Sequence, residues 1–173
     1  MFQIVNRKIN ESEANLLIRE IKQTPNIMGY SLREWMTSEY VMVAEDENGE
    51  IAGACLNYDF HKNWHKIAAL FVLKEFRGLG LGKSLFYNSY NNAVERGKNV
   101  YTISANPVVI KMMEDLGFLT FENLHSFPEK YEWKFRLHTM QWVLNLYRIK
   151  EICRKRKVYG VEKDFLYGIK VIK

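Results

Sequence analysis

Cysteine is scarce in this chain of 173 residues: Cys55 lies in an apolar stretch and Cys153 among basic residues, and there is no third. Two isolated cysteines exclude a disulfide framework and a cysteine-built metal site, and both are expected to be free thiols. Repeats and low-complexity segments are also absent, and this length suits one domain with a core of its own. No apolar run approaches the length of a bilayer crossing, and the start, MFQIVNRKIN, lacks the basic-then-apolar order of a secretory signal. The expectation is a cytoplasmic protein with no membrane partner. Neither sign of charge dominates, with 25 Lys and Arg against 20 Asp and Glu, and 47% hydrophobic residues are too many for a disordered chain.

What charge asymmetry exists is local. Residues 148–157, RIKEICRKRK, carry Arg148, Lys150, Arg154, Lys155, Arg156 and Lys157 around one acid, Glu151. Such a segment is either a solvated helix face or a contact for nucleic acid or acidic protein.

Periodicity gives an alternating order of elements. Residues 2–5 read as a short edge strand, and Asn10 and Glu13 cap a helix whose apolar positions are Ala14, Leu17, Ile18 and Ile21. A shorter helix over 31–38 follows. Strands over 40–44 and 51–58 are joined through Asn48-Gly49, a hairpin signal. The apolar run 66–73, KIAALFVL, reads as a strand buried on both faces. Beyond it come a helix ending near Gly97, a strand over 100–105, a helix over 108–116 closed by Gly117, and a strand over 118–122. Residues 135–144 are expected as a final strand, 145–157 as an added helix, and a last strand is open within 158–173.

Between the buried strand and its following helix lies EFRGLGLGKS, residues 75–84. Glycines at alternate positions ahead of a helix admit close approach to backbone N–H groups and to the positive end of the helix, which suits phosphate. A P-loop would need glycine where Arg77 stands, and a dinucleotide fingerprint would need glycine at Lys83, so both readings fail. Arg77, Gly80 and Gly82 instead fill Gln/Arg-x-x-Gly-x-Gly/Ala, which resembles the acyl-CoA-binding loop of the GNAT superfamily of N-acyltransferases. A second segment, NPVVIKMMEDLGF, is similar to that family's Asn-x-x-Ala-x-x-x-Tyr-x-x-x-Gly-Phe, with Asn106, Gly117 and Phe118 in register.

The resemblance implies an α/β fold with a mixed, mostly antiparallel sheet flanked by helices, splayed between the fourth and fifth strands, with residues 1–144 as the N-acyltransferase domain and 145–173 as a basic extension packed on it. It implies acetyl-CoA as donor, with no metal, and direct attack by a primary amine. Main-chain groups of Phe71, Val72 and Leu73 would hold the pantetheine arm. Amides of Arg77, Gly78, Leu79, Gly80, Leu81, Gly82, Lys83 and Ser84 would take the pyrophosphate, with Asn106 alongside. Val72 N–H is the expected oxyanion donor. Met113 stands where the family has a tyrosine, so no acid is expected there for the departing thiolate. For the base, Asp59, His61 and His65 cluster between two strands, and Asp59 and His65 are the candidates; a polar connecting loop is the plainer reading of that stretch. Tyr30, Trp35, Trp64 and Trp133 are either acceptor-pocket lining or core.

The acceptor, a small molecule or a protein, is open, because specificity would lie in residues 24–38, 59–65 and 122–140. Two other functions stay open: a non-catalytic acyl-CoA-binding module of the same fold, favoured by Met113, and a nucleic-acid-binding protein using 148–157. A homodimer is compatible with each.

Overall fold

The computed structural model describes residues 1–24, 27–122, 144–159 and 165–172. The elements in chain order are β1 (Gln3–Asn6), α1 (Glu11–Gln23), α2 (Leu32–Thr37), β2 (Tyr40–Glu45), β3 (Ile51–His61), β4 (Trp64–Val72), α3 (Leu81–Glu95), β5 (Asn99–Ser104), α4 (Pro107–Asp115), β6 (Leu119–Phe121), α5 (Leu146–Tyr159) and β7 (Leu166–Lys170). They start where local chemistry starts them. Asn10 and Glu13 form a reciprocal capping box on α1, and Ser31 and Glu34 form another on α2. Asn106 caps α4, with Pro107 in its first turn.

The strands form one sheet in the order β1-β2-β3-β4-β5-β7-β6, all neighbours antiparallel except β4 and β5. Alternation along the strands separates two cores. Val41, Val43, Leu56, Ala69 and Phe71 pack under α1 and α2 with Leu17, Ile21 and Trp35. Met42, Cys55 and Ile67 pack under α3 and α4 with Leu85, Phe86 and Met113. This is the mixed, mostly antiparallel sheet flanked by helices that the sequence predicts.

Two observations concern the end of the chain. The expected strand over 135–144 lies outside the described residues except for Leu144, which is in a turn. The segment 145–173 contributes α5 and β7, and β7 sits between β5 and β6, with Thr102 opposite Gly168 on one side and Thr120 opposite Gly168 on the other.

Candidate functional site

The site begins where β4 leaves β5. Pairing runs from Trp64 opposite Asn99 to Ile67 opposite Thr102 and stops, although β4 continues to Val72 and β5 to Ser104. On the other side of β4, Leu56 faces Ala69 while Asn57 faces Ile67, so Ala68 is the extra residue of a β-bulge. A bulge bends the strand that carries it, and this one lies at the point of divergence. Thr102 Oγ1 closes the last pair by donating to Ile67 O at 3.0 Å.

Past that point, among the described residues, the outer edge of β4 has no strand beside it. Leu73 N–H donates to Ala52 O on β3 at 2.9 Å. By antiparallel alternation the main-chain groups of Phe71 also face β3, and those of Leu70 and Val72 turn toward the opening. Of the three residues named from sequence for the pantetheine arm, Phe71 and the Leu73 N–H therefore face β3, while the Leu73 carbonyl accepts from Phe76 N–H at 3.0 Å. Val72 faces the opening, and so does Leu70, which the pattern alone did not single out. Two cavities share this edge. One, about 120 Å³, is lined by Tyr30, Lys66, Leu70, Ser104 and Asn106 among others. The second, about 310 Å³, is lined by Leu70, Val72, Arg77, Gly82, Lys83 and Asn106 among others.

The glycine turn closes the far end. Gly78 and Gly80 have φ of 85° and 78°, and a Cβ on either would project into open space. Gly80 is the N-cap of α3, so the N–H groups of Leu81, Gly82 and Lys83 lack intrahelical acceptors. Two amides expected to be available are engaged: Arg77 N–H donates to Lys74 O at 3.3 Å and Ser84 N–H to Gly80 O at 3.1 Å. The Arg77 side chain pins the turn to the strand, with Nε donating to Val72 O at 3.1 Å and the guanidinium 5.4 Å from the Phe71 ring centroid. Leu79 is exposed and Leu81 buried, so the turn offers main chain more than side chains.

Asp59 and His65 meet, but elsewhere. His65 is buried, and its Nδ1 lies 2.7 Å from Asp59 Oδ1 and 2.9 Å from Arg96 Nη2. Arg96 at the end of α3 and Lys98 reach the other oxygen at 2.8 and 3.2 Å. Burial lowers the His65 pKa. Desolvation would raise Asp59, but the hydrogen bonds from His65 and Arg96 outweigh it and hold that carboxyl well below the usual range. Neither residue lines either cavity, and the cluster ties the end of α3 to the β3–β4 hairpin. His61 lies in the same hairpin, its backbone opposite Trp64. Met113 is wholly buried beside Gly168 and Phe118 and also lines neither cavity. Of the four aromatics, Tyr30 lines the smaller cavity, Trp35 and Trp64 are core, and Trp133 lies outside the described residues. Cys55 and Cys153 are free, and burial pushes the Cys55 thiol up to about 12.

On the α1–α2 face, α5 brings Arg148 and Lys155 over Glu34, at 3.5 and 2.9 Å, and over the rings of Tyr58 and Tyr30, at 4.8 and 3.3 Å. Arg154 binds Glu151 at 2.7 Å and Gly29 O at 3.2 Å. Half of the basic run is thus turned inward. Among the described residues no helix is long and apolar enough to cross a membrane, and no cluster of potential metal ligands occurs.

The family model described as "Acetyltransferase (GNAT) family" matches residues 12–118. A search of curated proteins gives no match. Among solved structures, the chain is similar to Rv2747 from Mycobacterium tuberculosis in complex with CoA, with TM-score 0.64, 14% identity and coverage of 98% of this chain and 99% of that one. It is similar to arylalkylamine N-acetyltransferase 2 from Aedes aegypti, with TM-score 0.55, 16% identity and 99% of each chain covered. A putative acetyltransferase, yncA, from Salmonella typhimurium with its cofactor acetyl-CoA gives TM-score 0.54 at 17% identity, covering 69% of this chain and 80% of that one. At these identities the likeness concerns the fold.

Proposed function

The chain belongs to the GNAT acetyltransferase family, and on that premise we propose that it transfers an acetyl group from acetyl-CoA to a primary amine by direct attack in a ternary complex. The observation that carries this reading is the continuity of two features: the unpaired edge of β4 beyond Ile67 runs into the glycine turn at the start of α3. An extended, amide-bearing arm suits the first as an added strand. A doubly charged pyrophosphate suits the second, where several N–H donors and the helix end act together.

In this reading the N–H groups of Leu81, Gly82 and Lys83 hold the pyrophosphate, and Gly78 and Gly80 keep the approach clear. Leu70 and Val72 offer main-chain groups to the arm, and a fixed N–H on this edge polarises the thioester carbonyl as charge builds on its oxygen. Asn106, shared by both cavities, stands beside the arm. The amine enters from the side of Tyr30 and Lys66. With Met113 in the core, the departing sulfur takes its proton from water, as a thiolate can. We also propose that 145–173 belongs to the same domain as 1–144, since β7 separates β5 from β6.

The nucleic-acid reading loses support, because Arg148, Arg154 and Lys155 turn toward Glu34, Glu151 and the Gly29 carbonyl. The test is release of CoA thiol from acetyl-CoA with a panel of spermidine, kanamycin, glutamate, a peptide with a free N-terminus and a lysine peptide. A thermal shift by acetyl-CoA accompanies it. Turnover with one of these amines is expected. A shift without turnover by any amine favours the non-catalytic binding module, and the absence of both shift and turnover overturns the acyl-CoA reading.

A further inference from the structure

The opening needs a group that can take a proton from the incoming ammonium, and Asp59 and His65 line neither cavity. Lys66 stands on β4 just before Ile67, where pairing with β5 ends, and it lines the smaller cavity together with Tyr30 and Leu70. Its ammonium lies between the Tyr58 ring of β3 and the Tyr101 ring of β5, at 5.8 and 5.4 Å from their centroids. Among the described residues, the other charged and titratable groups facing it are Glu34 from α2, Arg148 and Lys155 from α5, and Tyr30 from the segment before α2. Glu34 is the acid among them, and it already binds Lys155 and Arg148.

We propose that Lys66 is the proton acceptor of the transfer: its ε-amino group takes one proton from the acceptor ammonium, directly or through one water, as the amine enters the opening. The proposal rests on the acyl-transfer reading above.

Desolvation, with Lys155 and Arg148 as like-charged neighbours, lowers the Lys66 pKa to about 7. About half of the molecules then carry a neutral amine there at pH 7, against about one in 2,500 for an ordinary lysine. A base matched to the working pH is the effective kind. The tyrosines at the same place do not compete, because burial raises Tyr30, Tyr58 and Tyr101, which therefore stay protonated. Arg148 and Lys155 would also disfavour the charged form of the acceptor, easing the same transfer. Once neutral, the amine nitrogen forms the C–N bond to the acetyl carbon as the C–S bond breaks. The sulfur gains the second amine proton by way of water to give the CoA thiol, and Lys66 returns its proton to solvent.

Two measurements test this on the full chain. Reductive ¹³C-methylation followed by NMR titration reads the lysines one by one, the Lys66 signal being identified by its loss in Lys66→Arg. A midpoint near 7 is expected for Lys66 and near 10 for the exposed lysines. Steady-state kinetics from pH 6 to 9, with the panel amine that turns over, then compare wild type, Lys66→Met and Lys66→Arg. Both variants are expected to lose about 100-fold or more in kcat at pH 7, less at pH 9, with the KM for acetyl-CoA and the unfolding midpoint near wild type.

Arginine keeps the charge but cannot accept a proton, so wild-type kcat in Lys66→Arg would show a structural role and overturn the proposal. A Lys66 midpoint near 10 would do the same. So would an acetyl group found on Lys66 by mass spectrometry after incubation with acetyl-CoA alone, which would make it a nucleophile. If acetyl-CoA gives no thermal shift and no amine turns over, the acyl-transfer reading itself has failed and this proposal falls with it.

Discussion

Gly80 and Gly97 mark the two ends of α3, and together they separate the conformational role of a glycine from its role in binding. Gly80 has φ of 78° and Gly97 has φ of 64°, and a Cβ on either would meet nothing within 4 Å. Alanine at each site should therefore cost about the same. The left-handed conformation is disfavoured by about 1–2 kcal/mol for a residue with a side chain. The stiffer unfolded chain returns about 0.4–1 kcal/mol of that. A net loss near 1 kcal/mol lowers the unfolding midpoint by about 2–4 °C in a chain of this size. Only at Gly80 does the added methyl, projecting into open space, stand on the approach to the first amides of α3, where an incoming phosphate would meet it. Losing one charge-assisted hydrogen bond there costs about 1.5–3 kcal/mol, or about 10- to 150-fold in affinity. Thermal unfolding and calorimetric titration with CoA on Gly80→Ala and Gly97→Ala read both quantities. Matched midpoints with CoA binding impaired only in Gly80→Ala are expected. Equal CoA affinity in the two variants would mean that the turn holds no phosphate.

Met113→Tyr should not restore an acid: a Cβ on Gly168 would already lie 2.6 Å from the Met113 sulfur, so the larger ring overpacks the core. A loss of about 1–3 kcal/mol is expected, read by thermal unfolding, with no gain in turnover at any pH; a stable variant with faster turnover would contradict this placement. Acid should weaken the fold in two stages. His65 binds its proton less readily folded than unfolded, so its contribution is complete above pH about 6.5 and is lost as pH falls below that. The lowered Asp59 contributes above its unfolded pKa of about 3.9 and loses that contribution as pH falls further. Asp59→Asn should reduce the second stage, to which Glu13 and Glu151 also contribute, in an unfolding series against pH, and an unchanged acid limb would refute its assignment to this cluster.

The elements whose causes are local were legible in the sequence. Asn10 with Glu13 and Asn48-Gly49 act within a few residues, and the helix after the glycine turn follows from Leu85, Phe86 and Ala93. The opening between β4 and β5 was foreseeable only through the family resemblance, because the bulge at Ala68 leaves no trace in the apolar run KIAALFVL. The place of β7 was not legible, since pairing with β5 and β6 is a long-range event with no local signal. At the site, the glycine turn stands out by its spacing, whereas which main-chain groups of Phe71, Val72 and Leu73 face outward depends on register with β3. Asp59 and His65 were seen to cluster, but their partner Arg96 arrives from the end of α3. Lys66 was passed over as the polar boundary of a strand. Its environment is made by Glu34, Arg148 and Lys155, which the sequence keeps far apart.

Synthesis proceeds from β1 toward β7, so β6 leaves the ribosome long before the strand that joins it to the sheet. Until β7 arrives, among the described residues β5 presents a bare edge and β6 has no strand neighbour. Exposed edges of that kind invite pairing with other chains, and pairing between strands far apart in sequence is slow. A nascent chain stalled ahead of residue 166 would thus be the aggregation-prone form of this protein. Chaperone dependence should then be greatest for that intermediate.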